Sequence, residues 1–194
     1  MNDGKKIGGI NPWAVVVALA AIGCFMYHVW YTRWIWDLYK QINNNELLIE
    51  ILTVRVIVII TPVAILIAAA FKKYPLCLLA LMICECANGL LQLRGIFRFS
   101  FFDYQDFVGC GVRFSMVFFL VLLLTRILKA SNVLICCSAV QVMWVLFNIR
   151  QFNVNWPNFL LSFLPAILLL VVVCLIASVE SGHEQEISGH MPGS

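Results

Sequence analysis

The chain has 194 residues, 62% of them hydrophobic and 12% charged, with a mean hydropathy of +0.94. Globular domains carry about 45–50% apolar and roughly 25% charged residues, so this composition excludes a soluble single domain, a disordered chain and a coiled coil. The net charge of +3 is too small for a nucleic-acid footprint; membrane lipids are the expected surroundings.

A bilayer's hydrocarbon layer of about 30 Å takes about 20 helical residues, and six stretches qualify. Residues 1–12, with Lys5 and Lys6, form a short polar N-terminus. The first span covers 13–31 and reads as a retained helix; its apolar run before Ala18 is too short for a signal peptide, which needs about 7–15 residues. The second covers 51–71 and contains Pro62, the third 76–93, the fourth 108–124. The fifth, 133–149, is shorter and carries polar residues, and the sixth, 159–178, contains Pro165 and an unbroken apolar core over 166–177. Backbone groups in lipid must be satisfied internally, so each span is expected to be a helix, with its proline tolerated as a kink. The fold class is therefore all-α: a polytopic membrane helix bundle of about six spans without a sizeable soluble domain. Residues 179–194 are polar, acidic and glycine-containing, and read as a flexible tail.

Two connections stand out. Residues 32–50 open with Trp34, Trp36 and Tyr39, after His28, Trp30 and Tyr31, residues that favour the membrane–water interface. Asn43, Asn44 and Asn45 then read as a turn and helix cap, with Glu46 in the first helical turn. Residues 94–107 interleave Arg94, Arg98, Asp103 and Asp106 with Phe97, Phe99, Phe101, Phe102, Tyr104 and Phe107. This is either a segment lying at the lipid surface or a docking surface built on Arg94, Phe97, Arg98, Phe101, Phe102 and Tyr104, because arginine and aromatics anchor interfaces.

Cations near span ends set orientation. Lys5, Lys6, Lys72, Lys73, Arg126 and Lys129 fall on one side; Arg33, Lys40, Arg94, Arg98 and Arg150 fall on the other, with Arg55 just inside the second span. The clustered cations share the first side, which points to both termini in the cytoplasm of a bacterial inner membrane.

Charge inside a span costs about 2.5–3.5 kcal/mol on insertion scales and marks function by default. Glu85 lies near the middle of the third span, and Asn88 and Gln92 follow at i+3 and i+7 on the same face. Ser138, Gln141 and Asn148 mark a second polar stripe on the fifth span. Arg113, on the fourth, is the natural counter-charge for Glu85; its long stem can reach down to the carboxylate or snorkel outward. These stripes serve either as interhelical glue, at about 0.6 kcal/mol per hydrogen bond, or as a permeation path.

Most of the eight cysteines lie inside apolar runs and form no C-x-x-C pair, so they read as small hydrophobes rather than disulfides, redox groups or metal ligands. The three histidines, His28, His183 and His190, provide no bis-histidine haem site, and no H-E-x-x-H, G-x-S-x-G or aspartate-rich motif occurs. Asp103 and Asp106 could hold a cation or cap the fourth span. No enzyme, cofactor or metal is expected. The expected function is a non-enzymatic oligomeric scaffold, anchor or sensor subunit, a homo-oligomer or a binder of a partner protein, in a bacterial accessory system such as phage defence, toxin immunity or exclusion. The alternative is a small-solute transporter or channel subunit using the stripe around Glu85. Both rest on architecture rather than motif.

Overall fold

The apolar runs become six α-helices in the computed structural model, which describes residues 12–42, 45–98, 104–151 and 163–189. They are α1 (Pro12–Ile42), α2 (Asn45–Ala70), α3 (Tyr74–Arg98), α4 (Tyr104–Leu124), α5 (Ala130–Gln151) and α6 (Leu164–Gly189). No strand occurs among the described residues. Each helix is long and apolar enough to cross a membrane, so the chain is a polytopic membrane helix bundle. Each helix packs against its neighbours in sequence and α1 closes onto α6, which gives a ring with a slighter contact between α3 and α6 across the middle.

Three helix starts carry proline in the first turn: Pro12, Pro75 and Pro165. There the missing N–H is one the helix leaves unused, and the fixed φ suits the turn. Pro165 is therefore an initiator of α6 rather than a kink inside the sixth span. Pro62 is interior to α2 and fully buried. Beside it the Thr61 hydroxyl donates to the Ile57 carbonyl at 2.9 Å. Ser115 and Ser178 likewise donate to carbonyls of their own helices, and Thr125, just past α4, donates to Val121. This back-bonding hides hydroxyls from hydrocarbon without a partner helix.

The turns after α2 and α4 are built alike. Lys73 N–H donates to Ala68 and Lys72 N–H to Ala69; Ile127 N–H donates to Leu122 and Arg126 N–H to Leu123. These are paired Schellman closures, with Lys72 (φ 55°) and Arg126 (φ 58°) in the left-handed position that glycine usually takes. The chain accepts that strain and keeps a cation where the helix dipole is negative.

Several boundaries differ from the sequence reading. Residues 32–42, expected as connection, continue α1, whose 31 residues span about 46 Å. The helix simply runs on past the hydrocarbon, because nothing between Thr32 and Ile42 stops it: there is no glycine or proline. The sixth helix is described from Leu164; positions 159–162 lie outside the described residues, as do Asn43 and Asn44. Residues 179–189, expected as flexible tail, are helical. One reason is visible: Glu180 Oε2 accepts the Ala130 N–H at 3.2 Å. A carboxylate from α6 thus caps α5 at its positive end, where an anion is favoured.

The apolar core collects in one half of the bundle. Val17, Ala21, Ile65, Leu78, Leu81, Met116, Leu120, Val133, Leu169 and Val172 are buried together, toward the end that carries the Lys72 and Arg126 turns. Outward positions such as Leu19, Met26, Phe71, Ile135 and Met143 are exposed and apolar, as a lipid-facing surface requires.

Because Glu180 supplies one anionic cap, we expect Glu180→Ala to lower stability by about 0.5–1 kcal/mol. Unfolding in detergent micelles, followed by circular dichroism, checks this. Glu180→Asp, whose shorter side chain is drawn back from Ala130, should fall between the two.

Candidate functional site

The other half of the bundle, toward the C-terminal end of α1 and the N-terminal end of α2, is polar. Its centre is Glu85 on α3, only 3% exposed. Arg113 on α4 donates from Nη1 to Glu85 Oε2 at 2.7 Å, a charge-assisted hydrogen bond and ion pair between two adjacent helices. Of the two side chains, Glu85 is 4% exposed and Arg113 25%. Glu85 is the more enclosed of the two, so the guanidinium is its essential partner.

The helices approach closely enough for this because of two glycines. A side chain at Gly89 would meet Arg113 Cβ and Phe114 Cζ at 3.4 Å; one at Gly109 would meet the Gln92 amide nitrogen at 2.7 Å. Gln92 therefore lies over the bare Gly109 backbone. Cys110 Sγ lies 3.8 Å from the Gly89 carbonyl and Cys77 Sγ 3.7 Å from that of Ile65. These thiols act as small side chains with a weak donor at helix contacts, and all eight cysteines are free.

The remaining stripe residues divide. Asn88 turns back on its own helix, its Nδ2 donating to the Cys84 carbonyl at 3.0 Å and touching Cys84 Sγ at 3.6 Å. Gln141 on α5 is buried at 7% exposure; one turn before it, Cys137 comes within electrostatic range of Glu85. Asn148 lies further along α5, and its side chain is outside the described residues. Glu85, Arg113, Gln92 and Gln141 thus face the bundle interior or a helix contact.

Arg94 is exposed near the end of α3 and Phe97 is 80% exposed. Arg98 ends α3 and Tyr104 opens α4; their side chains lie outside the described residues, as do Phe101, Phe102 and Asp103 altogether.

Sequence reasoning missed half of the polar cluster. Arg55, counted as a cation near a span end, packs its guanidinium 4.5 Å from the centre of the Tyr31 ring. Tyr31 is itself stacked between Tyr27 at 5.7 Å and Trp34 at 5.6 Å. His28, read as an interfacial residue, is buried at 5% exposure within electrostatic range of both Arg55 and Arg113. The available signal was spacing: Tyr27, Tyr31 and Trp34 recur at i, i+4 and i+7 on one face of α1. The whole cluster holds two guanidiniums and one carboxylate. Chemically it can fix helix register and bind negative charge.

No protein-family model, curated protein or solved structure matches this chain.

Removing one member of a buried pair leaves the other charge uncompensated, at about 3–5 kcal/mol. Arg113→Gln should therefore be strongly destabilised in detergent unfolding. The double variant Glu85→Gln/Arg113→Gln should recover most of the loss, because two amides of similar shape can bond to each other. Additive losses in the double variant would contradict the pair.

Proposed function

We propose that this protein is a non-enzymatic membrane scaffold, an integral inner-membrane subunit with both termini in the cytoplasm that assembles with further copies or with a partner protein. Accessory systems of bacteria, such as phage defence, toxin immunity or exclusion, are the setting that suits such a subunit. The observation that supports this reading best is the Glu85–Arg113 pair. It spends the intramembrane charge on holding α3 to α4 inside one protomer, which is what a rigid platform needs. A conducting carboxylate must exchange protons or ions with water, and Glu85 is enclosed and engaged.

Orientation rests on Lys72, Lys73, Arg126 and Lys129, all at one end of the bundle. At the other end, the exposed Phe97 beside Arg94 offers the aromatic-plus-arginine composition of a docking edge.

Native mass measurement after extraction into lipid nanodiscs tests the assembly. A particle of more than one copy, or one carrying a stable partner, is the expected result. A strictly monomeric particle without a co-purifying protein overturns it. Solute flux in liposomes that disappears in Glu85→Gln would also overturn the reading, in favour of a pathway.

A further inference from the structure

Three buried polar atoms on the α1–α2 side of the cluster have no hydrogen-bond partner: His28 Nδ1, Thr32 Oγ1 and Arg55 Nε. Buried polar groups are hydrogen-bonded in the great majority of cases, and each exception calls for a water, an ion or a functional reason. His28, Tyr31 and Thr32 occupy one face of α1 at i, i+3 and i+4, and the Tyr31 of that face carries the Arg55 guanidinium. Among the described residues no carboxylate pairs with Arg55, because Glu85 is engaged by Arg113. Arg113 and Arg55 are in turn both within electrostatic range of His28.

All three atoms can donate a hydrogen bond, Arg55 Nε–H without alternative and the other two as one of their options. The Thr32 hydroxyl can donate or accept, and an imidazole donates from Nδ1 in one of its neutral tautomers. A set of donors beside surplus positive charge, in a region of low dielectric, asks for an acceptor that is negative and carries several oxygens. A guanidinium fork matches phosphate and carboxylate, and a phosphate group offers more acceptor oxygens for donors that come from two helices.

Depth narrows the source. Arg55 lies less than one turn inside the apolar part of α2, which begins at Leu52. Beside it, Trp30 and Trp34 are exposed on α1 with Tyr27 and Tyr31 half-buried, the composition of a belt at headgroup level. We propose that His28, Thr32 and Arg55, with Arg113 behind them, form a binding site for a phosphate oxyanion, which an anionic phospholipid headgroup presents at this depth and free phosphate could present from solution. The site stands apart from the scaffold role, since it needs neither a second copy nor a partner.

The test uses the full chain in detergent and reads thermal unfolding together with native mass spectrometry. Phosphatidylglycerol, phosphatidylcholine and inorganic phosphate are added in separate arms. Phosphatidylglycerol is expected to raise the unfolding temperature and to stay bound in the mass spectrum. Its affinity should fall by roughly tenfold in Arg55→Gln, the scale of one lost charged hydrogen bond. Thr32→Val, a milder change that removes one donor, should weaken binding as well and keeps the test informative if Arg55→Gln misfolds. An equal response to inorganic phosphate, lost in the same variants, keeps the site and assigns it to a soluble anion. The proposal fails if neither phosphatidylglycerol nor phosphate shifts unfolding beyond the phosphatidylcholine control. It fails equally if the shift survives in both Arg55→Gln and Thr32→Val.

Discussion

A carboxylate in the middle of a hydrocarbon layer has to be neutralised by a neighbour, and in this bundle that requirement fixes how α3 meets α4. Glu85 can find a cation only on an adjacent helix, and Arg113 lies about one helical turn (about 5.4 Å) nearer the membrane surface. The arginine stem bridges that difference in depth, so the 2.7 Å contact sets the register of the two helices. Register in turn sets proximity. Gly89 falls opposite Arg113 and Phe114, and Gly109 falls under the Gln92 amide, which takes the space a side chain at Gly109 would need. The polar face of α3 is carried inward by the same rotation, which is why Gln92 meets α4 rather than lipid.

From this follows a division of labour along the membrane normal. The half of the bundle that ends in the Lys72 and Arg126 turns is packed by apolar side chains from all six helices. It is closed by Schellman turns and by the Glu180 cap on α5. The other half holds the charges, the buried histidine and the stacked tyrosines. Packing in lipid gains nothing from the hydrophobic effect between helices, so tight contact and satisfied polar groups must do that work. The apolar half uses the first means, and in the polar half the Glu85–Arg113 pair supplies the second.

The number of helices was legible because length and apolarity alone decide it: a run of about 20 apolar residues has few other fates. The partnership of Glu85 with Arg113 was legible as well, from charge balance and span position. Arg55 was not, because an arginine near a span end usually marks the interface. Its true neighbour, Tyr31, is set by which face α1 turns to α2. The continuation of α1 past Tyr31 was hidden by the tryptophans and tyrosines, whose interfacial preference says where the lipid ends but not where the helix does. Glu180 read as part of a polar tail because the N–H it caps belongs to a residue 50 positions away. No local pattern records such a contact.

Magnitudes decide what the polar half leaves unfinished. The pair Glu85–Arg113 balances itself, but Arg55 brings a second positive charge whose visible partner is the face of Tyr31. A cation over an aromatic ring is worth about 0.5–1 kcal/mol when exposed and about 2 kcal/mol or more when desolvated. An arginine within a span costs about 2.5–3.5 kcal/mol on insertion scales, and snorkelling lowers that figure near the interface. Tyr31 therefore offsets a large part of the charge on Arg55 without supplying an acceptor for its buried Nε–H. Helix dipoles do not make up the difference, because this end of the bundle gathers C-terminal ends of α1 and α3 together with N-terminal ends of α2 and α4, whose partial charges oppose one another. The same rule that ties Glu85 to Arg113 thus leaves Arg55 as the exception. His28 and Thr32 on α1 and Gln92 on α3 likewise each hold a buried polar atom without a partner.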